Sequence, residues 1–394
     1  MSWIFRMAAD GTGLKVNRPR TIRPITYVFA KAIAAWVARC ITCNAIIPPL
    51  YITCCEHWRI EPDMDRQRFR EITSQYPGLR IAVIGDYSLD RYLEIDPSKT
   101  ETSIETGLPV HNVTRVRAQP GAAGTVLNNL VALGIGEIWP VGFCGVDGEG
   151  FELQRALKDL PGVRLDYFYE TPEQRTFTYC KPLVMEPGQT PRELNRLDSK
   201  NWHSTPIDLQ EQLANAVRSL SGQVDALVVL DQVDEPETGV VTKSLLREIN
   251  EIAEEHLTVI GDSRRGLKDW PTIDYKMNLS EFKKLADTEC GVKEAVSGLA
   301  KEKGIRIFVT MAENGILGSG ANVETHHQEA LPIRGEIDIV GAGDAVMANL
   351  AAALAASASP KEASQLANAA ASVVIHKLGT TGAASTGEIE PLLF

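Results

Sequence analysis

The segment Asp338-Ile339-Val340-Gly341-Ala342-Gly343-Asp344-Ala345 runs straight into an Ala-rich stretch of helical composition. Small residues at 341–343 let backbone N–H groups approach an anion closely. A helix start behind them adds unpaired donors and the positive end of a macrodipole. A phosphoryl group would fit such a cradle. Asp344, itself anionic, would be a poor phosphate ligand but a sensible general base, taking a proton from an attacking hydroxyl while the amides stabilise the transferring group. The plainer reading of the same residues is a Gly-rich loop with Asp344 as the helix N-cap.

Other polar residues fall where strands should end. Arg80–Asp86 is a short apolar run closing on Gly85-Asp86, and similar runs end at Asp231, Asp262 and Thr310. Helical segments are expected over 122–133, 148–160, 207–220, 239–255, 292–303, 343–357 and 360–377, and strands over 137–141, 226–231, 257–262 and 305–310. Leu165–Tyr169 and Arg175–Lys181 read as a β-rich patch. Strands alternating with helices predict a parallel sheet covered on both faces, with ligands beyond its carboxyl edge. Residues 92–118, extended and β-branched, read as a small β flap inserted after the first strand. His326-His327, adjacent on a strand, should point to opposite faces as a surface pair and not a metal site.

The sequence has 394 residues, 44% hydrophobic and 23% charged, with a net charge of −11. These values exclude a disordered chain, a collagen-like fibre and a disulfide-stapled mini-domain. An acidic chain is also a poor candidate for nucleic acid. Residues 1–63 differ from the rest: eight basic and four acidic residues, and four of the seven cysteines. Cys40, Cys43, Cys54 and Cys55 fit no common zinc spacing. Lys31, Arg39 and Pro48-Pro49 break the apolar stretch 25–55, leaving no uncharged span for a membrane. The expectation is a poorly ordered or non-native extension, with Met64 an alternative start and one domain over 64–394. Three scattered cysteines beyond it suggest reduced thiols and a cytoplasmic protein.

The motif at 338–344 resembles the C-terminal signature of the ribokinase-like (PfkB) carbohydrate kinases. Ala348-Asn349-Leu350, Glu362–Val374 and Lys377-Leu378-Gly379-Thr380 resemble the same region of heptose 7-phosphate kinases. Gly85-Asp86-Tyr87-Ser88-Leu89-Asp90-Arg91-Tyr92 is similar to their Gly-Asp-x-x-Leu-Asp-x-Tyr opening, and Ile104–Val110 to the flap after it. Gly121-Ala122-Ala123 through Gly134, Arg196-Leu197-Asp198 and Asn278-Leu279-Ser280-Glu281-Phe282 follow in family order. The resemblance covers about residues 80–385.

It implies an α/β, ribokinase-like three-layer sandwich with a mostly parallel central sheet and a β lid, and an ATP- and Mg²⁺-dependent kinase of a sugar or sugar phosphate. Asp344 would be the base, with Gly341, Ala342 and Gly343 as the anion hole. Asp90, with Asp86 second, would bind a sugar hydroxyl, and Gly121, Ala122, Thr125 and Arg196 would line the substrate side. Asn278, Glu281, Thr310, Gly315, Asn368 and Arg264 would serve the nucleotide, Glu281 reaching Mg²⁺ through water. Such flaps often pair two subunits, implying a homodimer.

Three places depart from the heptose kinase pattern. Ala122 stands for the second glycine of a Gly-Gly pair and Thr125 for an asparagine. The acidic loop after Asp231 disfavours an anion nearby. Asp262-Ser263-Arg264-Arg265-Gly266 replaces Asp-Pro-Lys-Gly, and its two arginines could clamp a phosphate. With no nucleotidyltransferase segment after the last helix, a kinase alone is expected. A nucleoside or vitamin-type kinase of the same superfamily, and a catalytically silent sugar- or nucleotide-binding regulator, are the alternatives.

Overall fold

The computed structural model describes residues 64–394 apart from 254–256, 287 and 380. The extension 1–63 with its four cysteines, and Thr380, lie outside the described residues.

The strands in chain order are β1 (Arg80–Gly85), β2 (Tyr87–Ile95), β3 (Glu101–Thr102), β4 (Pro109–Val110), β5 (Val113–Ala122), β6 (Glu137–Gly145), β7 (Phe168–Thr171) and β8 (Phe177–Val184). They continue with β9 (Arg192–Glu193), β10 (Leu197–Ser199), β11 (Ala226–Asp231), β12 (Thr258–Ser263), β13 (Asp274–Asn278), β14 (Ile307–Thr310), β15 (Ile316–Gly320) and β16 (Val323–Gln328). Nine of them form the central sheet, in the order β16-β15-β14-β13-β12-β11-β1-β6-β7. Pairing is parallel from β7 through β14; only the β14–β15–β16 edge is antiparallel.

Both faces of this sheet are buried, and the alternation along each strand divides its side chains between two cores. Ile81 and Val83 of β1 join a cluster with the helices Ala123–Leu133, Ala342–Ala355 and Pro360–Val374. Ala82 and Ile84 join the opposite cluster with the helices Ile207–Leu220, Lys243–Ile252 and Val292–Lys303. On β11, Val228 and Leu230 face the first core, Leu227 and Val229 the second. In the first core Ala345, Ala348, Ala351 and Ala352 are fully buried. Side chains that small let the helix Ala342–Ala355 lie close against its neighbours, which explains the Ala-rich composition.

The expected flap is larger than 92–118. After Asp86 the chain passes directly into β2, which pairs with β5 over Tyr87–Ile95 and 113–122. β8, β10 and β9 complete that second sheet, in the order β10-β8-β2-β5 with β9 beside β8, and β3 pairs only with β4. The two strands expected in 165–181 therefore part company: β7 edges the central sheet, whereas β8 belongs to the lid. The helix expected over 239–255 starts later, where Thr242 accepts a hydrogen bond from the Leu245 amide.

Candidate active site

Because β1, β11, β12, β13 and β14 run parallel, their carboxyl ends lie along one edge, carrying Asp86, Asp231, Asp262, Lys276–Asn278 and Thr310. The turn before the helix Ala342–Ala355 meets them there. Gly341, not Asp344, is the N-cap residue, with a left-handed backbone (φ 85°). An ideal Cβ on it would come 2.7 Å from Thr381 Cγ2, so only glycine fits. Asp344 sits in the first helical turn. The plain N-cap reading therefore does not describe it.

The Ala342 amide is used locally, donating to the Ile339 carbonyl at 3.2 Å. Ala345 begins the regular helical pattern by donating to the Gly341 carbonyl. Among the described residues the Gly341, Gly343 and Asp344 amides have no acceptor. Of the expected anion hole at 341–343, the Gly341 and Gly343 amides are available, the Ala342 amide is used locally, and the Asp344 amide adds a further donor.

Asp344 is half-buried at the helix start, and burial pushes its pKa up to about 6. Four charges act on it further: Lys276 and Arg264 lower the pKa, Asp262 and Asp90 raise it. Asp90 on β2 and Asp344 are thereby brought to one site. Asp90 is 7% exposed. A Cβ on Gly121 would come within 2.4 Å of its Oδ1. Gly121 is therefore small because Asp90 occupies the space beside it. Lys181 on β8 approaches both Asp90 Oδ2 and the Tyr92 hydroxyl at 3.4 Å.

Asp86 takes a different role. Its two oxygens accept from the Gln232 amide (2.8 Å) and the Val240 amide (2.7 Å). Burial, then the charge of Asp231, push its pKa up to about 7. Both oxygens hold the loop after β11, so this buried carboxylate acts as a latch between β1 and that loop. Asp231 is similarly engaged, accepting from Ser263 Oγ (2.7 Å) and Arg265 Nη2 (2.8 Å). The expected two-arginine clamp is therefore not formed: Arg265 is held by Asp231, and the exposed Arg264 is the one whose charge reaches Asp344.

The other expected residues fall as follows. Ala122 occupies the N-cap position of the helix Ala123–Leu133 with φ 53° and ψ −118°, a backbone suited to the glycine that Ala122 replaces. Thr125 is buried, with its methyl beneath Gly341. Arg196 lies on the lid, bonded to Asp198 and 4.9 Å above the Tyr179 ring. Asn278 and Glu281 form a capping box, the Asn278 side chain accepting from the Glu281 amide and Glu281 Oε2 from the Asn278 amide. The Glu281 Oε1 atom has no partner among the described residues. Thr310 Oγ1 reaches the Met277 carbonyl at 3.4 Å. A Cβ on Gly315 would come 2.0 Å from the Gln328 carbonyl, so the hairpin requires this glycine. Asn368 donates to the Glu329 carbonyl at 2.8 Å, joining the helix Pro360–Val374 to the chain after β16. The two histidines do point apart, but only His327 is exposed. His326 packs 3.0 Å from Ser364 Oγ, and burial brings its pKa down to about 4.

Sequence reading missed Lys276. Its ammonium is buried and lies 2.5 Å from Asp262 Oδ2. The available signal was a lysine in Ile273-Asp274-Tyr275-Lys276-Met277, two residues before Asn278. Among the described residues no group of three or more His, Cys, Asp or Glu side chains is arranged to hold a metal ion. Glu281 and Asp344, both near Asp262, nonetheless offer hard oxygen donors, which suits Mg²⁺ held largely through waters and nucleotide phosphates.

A large mostly parallel sheet flanked by helices, a small antiparallel lid, and a Gly-rich helix start facing the strand ends define a ribokinase-like α/β protein. Solved structures share this fold. Arabidopsis thaliana ribokinase in complex with ribose and ATP superposes with a TM-score of 0.57 at 19% identity, covering 80% of this chain and 98% of that one. Phosphofructokinase-2 from Escherichia coli gives 0.61 at 20%, with the same coverage. The sequence profile of the pfkB family of carbohydrate kinases matches residues 80–386, and the chain belongs to that family. Curated relatives include the bifunctional protein HldE of Trichlorobacter lovleyi, 29% identical over 329 residues and 81% of this chain. HldE of Psychromonas ingrahamii is 30% identical over 316 residues. The chain spans 64% and 62% of the length of these two relatives.

Proposed function

We propose that the chain transfers the γ-phosphoryl group of ATP to a hydroxyl of a sugar phosphate, with Asp344 as the general base. One observation carries this reading: Asp344 stands in the first turn of a helix whose Gly343 and Asp344 amides lack acceptors among the described residues, at a site shared with Asp90. Asp90 would hold and orient the acceptor. The hydroxyl oxygen attacks the γ-phosphorus, its proton passes to Asp344, and the bond to the departing ADP breaks with its electron pair on ADP. The two amides stabilise charge on the equatorial oxygens. Mg²⁺, when bound, supplies charge neutralisation of the nucleotide phosphates. Glu281, with one oxygen left over from its capping box, would hold a water of that ion. Thr310 and Asn368 would flank the nucleotide.

The similarity to HldE supports a phosphorylated acceptor. The lid cations are each paired with a carboxylate, Lys181 with Asp90, Arg117 with Glu94 and Arg196 with Asp198, and would have to exchange it for a phosphate. By strand register, Lys181 and Arg117 share the face of Asp90 and Tyr92, and Arg196 lies over the ring of Tyr179, which pairs with Asp90. Arg117 also lies 4.8 Å above the Tyr92 ring. An ATP-consumption screen over ribose, fructose 6-phosphate, a heptose 7-phosphate and nucleosides tests this. Turnover on the sugar phosphates is expected to exceed that on ribose. Faster turnover on nucleosides would assign the chain to the nucleoside branch, and ligand binding without turnover on any acceptor would leave a silent binder.

The lid also supports a homodimer. Its outer face carries Val116 at 46% and Leu197 at 65% exposure, and apolar side chains this open are suited to covering by a second lid. A cytoplasmic location agrees with ATP as co-substrate and with the free thiols of Cys144, Cys180 and Cys290. No helix among the described residues is long and apolar enough to cross a membrane.

A further inference from the structure

Trp202 is a large exposed side chain that the proposed transfer does not use. It stands 69% exposed in the segment after β10, between the buried Asn201 and Thr205. Both of those are pinned. Asn201 accepts from the Arg175 amide at 2.9 Å and donates to the Arg175 carbonyl at 3.0 Å. Thr205 donates its hydroxyl to the Gly239 carbonyl (2.6 Å) and its amide to the Glu237 carbonyl (2.7 Å), in the loop after β11. The indole is thus held in water by a fixed backbone, forgoing the gain of burial.

Beside it lies a cavity of about 110 Å³ between the base of the lid and the loop after β11. Phe177 and Tyr179 of β8 line it from the lid, Asp234 and Glu235 from the loop that Asp86 latches. Strand register joins this cavity to the acceptor site. Tyr179 pairs with Asp90 across β8 and β2, so the two side chains stand on one face of the lid. Adjacent strands are about 4.8 Å apart, so an acceptor held by Asp90 reaches the cavity with its next carbons.

The lining discriminates by charge. Lys200 pairs with Asp234 at 2.7 Å, and Glu235 leaves the rim net negative. Arg196, 4.9 Å above the Tyr179 ring, is likewise bonded to Asp198. A phosphate entering here would meet carboxylates and cations already paired. Hydroxyl groups fit better: they can donate to Asp234 or Glu235 and accept from Lys200, while the C–H faces of their carbons lie on the aromatic rings. We infer that Trp202 and Tyr179 form a stacking subsite for the uncharged, polyhydroxy portion of the acceptor, and that this subsite is closed to phosphate. The phosphate of a sugar-phosphate acceptor then lies outside it. The inference rests on the reading of Asp90 as the acceptor's ligand, and it makes Trp202 a specificity-determining residue with no part in the chemistry.

Protein labelled with 5-fluorotryptophan reports on Trp202 directly, its ¹⁹F resonance being assigned by its loss in Trp202→Phe. Ribose, fructose 6-phosphate and a heptose 7-phosphate are added in turn without nucleotide, with inorganic phosphate as the control. At least one sugar should move the resonance to saturation, and phosphate at the same concentration should leave it in place. Turnover then separates binding from chemistry. For the acceptor with the highest kcat/KM, Trp202→Ala should raise KM about tenfold and hold kcat within about twofold, the mark of binding shared by ground and transition states. Trp202→Phe, which keeps a ring, should stay within about threefold of the parent KM. Because the side chain is exposed, the melting temperature and the KM for ATP should not move. A Trp202 resonance that no sugar moves, or that inorganic phosphate moves as far, overturns the inference, as does a Trp202→Ala chain with the parent KM. A resonance moved by sugar in a chain that turns over no acceptor refutes the kinase reading alone. Turnover with an unmoved resonance and an unchanged KM refutes only the subsite.

Discussion

Asp344 makes two claims that a single substitution separates. Asp344→Asn keeps the size of the side chain and the amides of the turn but removes the proton acceptor. General-base catalysis contributes roughly 10²–10⁴-fold, so kcat should fall by about that factor with the melting temperature nearly unchanged. In the parent, the base form is lost as pH drops through about 6, so kcat/KM should decline about tenfold per pH unit below it. Ala122 supports a prediction of the opposite sign. Its φ of 53° with ψ −118° is a backbone that glycine adopts freely and alanine does not. Strain of this kind costs on the order of 1–3 kcal/mol, so Ala122→Gly should raise stability by about 1 kcal/mol in urea unfolding, after the extra chain entropy of glycine is subtracted. The sequence announced Asp344, Asp90 and the glycines because each sits in a contiguous motif. It did not announce Lys276, because a lone lysine in a strand reads as an edge residue until the strand is found between β12 and β14.

Among the elements, the end of β1 shows how one aspartate can mislead. A strand ending in Gly-Asp was expected to present its carboxylate to a ligand, yet Asp86 bridges β1 to the loop after β11 through two amides. Gly239 is matched to it, since a Cβ there would fall 2.2 Å from Asp86 Oδ1. Asp86→Ala would leave both buried donors unpaired, at about 1–3 kcal/mol each, so a loss of about 2–4 kcal/mol is expected from the urea midpoint. Loosening of 231–240 should also weaken acceptor binding, seen as a rise in KM larger than the fall in kcat. In the second half, 226–374, β13, β15, β16 and the short helix Leu279–Leu285 are not among the expected elements. Its three other strands, buried and parallel, and its four long helices could be read because they carry strong periodic signals. The lid could not. Its strands come from 87–122 and 177–199, short segments half open to solvent, and nothing local to either names the other as its partner.

At the scale of the whole molecule, the two sheets have different relations to water. The central sheet is covered on both faces by its two cores. The lid shows one face to the site and, on the other, is covered among the described residues near its base, where Arg91 pairs with Glu152 of the helix Gly148–Lys158. Beyond that contact Val116 and Leu197 stand open on the outer face, and Ile104 and Leu108 stand open in and beside the β3–β4 hairpin. β5 and β10 are its free edges. A sheet this thin gains most from a second copy, since apolar area removed from water contributes roughly 25 cal/mol per Å². Light scattering of the purified chain should therefore give twice the chain mass at micromolar concentration. Val116→Lys combined with Leu197→Glu should return it to one chain mass without lowering the melting temperature of the central core. If the lid closes properly over the acceptor only when braced by a partner, the monomeric variant should also hydrolyse ATP in water at a larger fraction of its acceptor-dependent rate, because water exclusion depends on that closure. A parent chain that scatters as a monomer would remove the dimer from the proposal and leave the chemistry at Asp344 untouched.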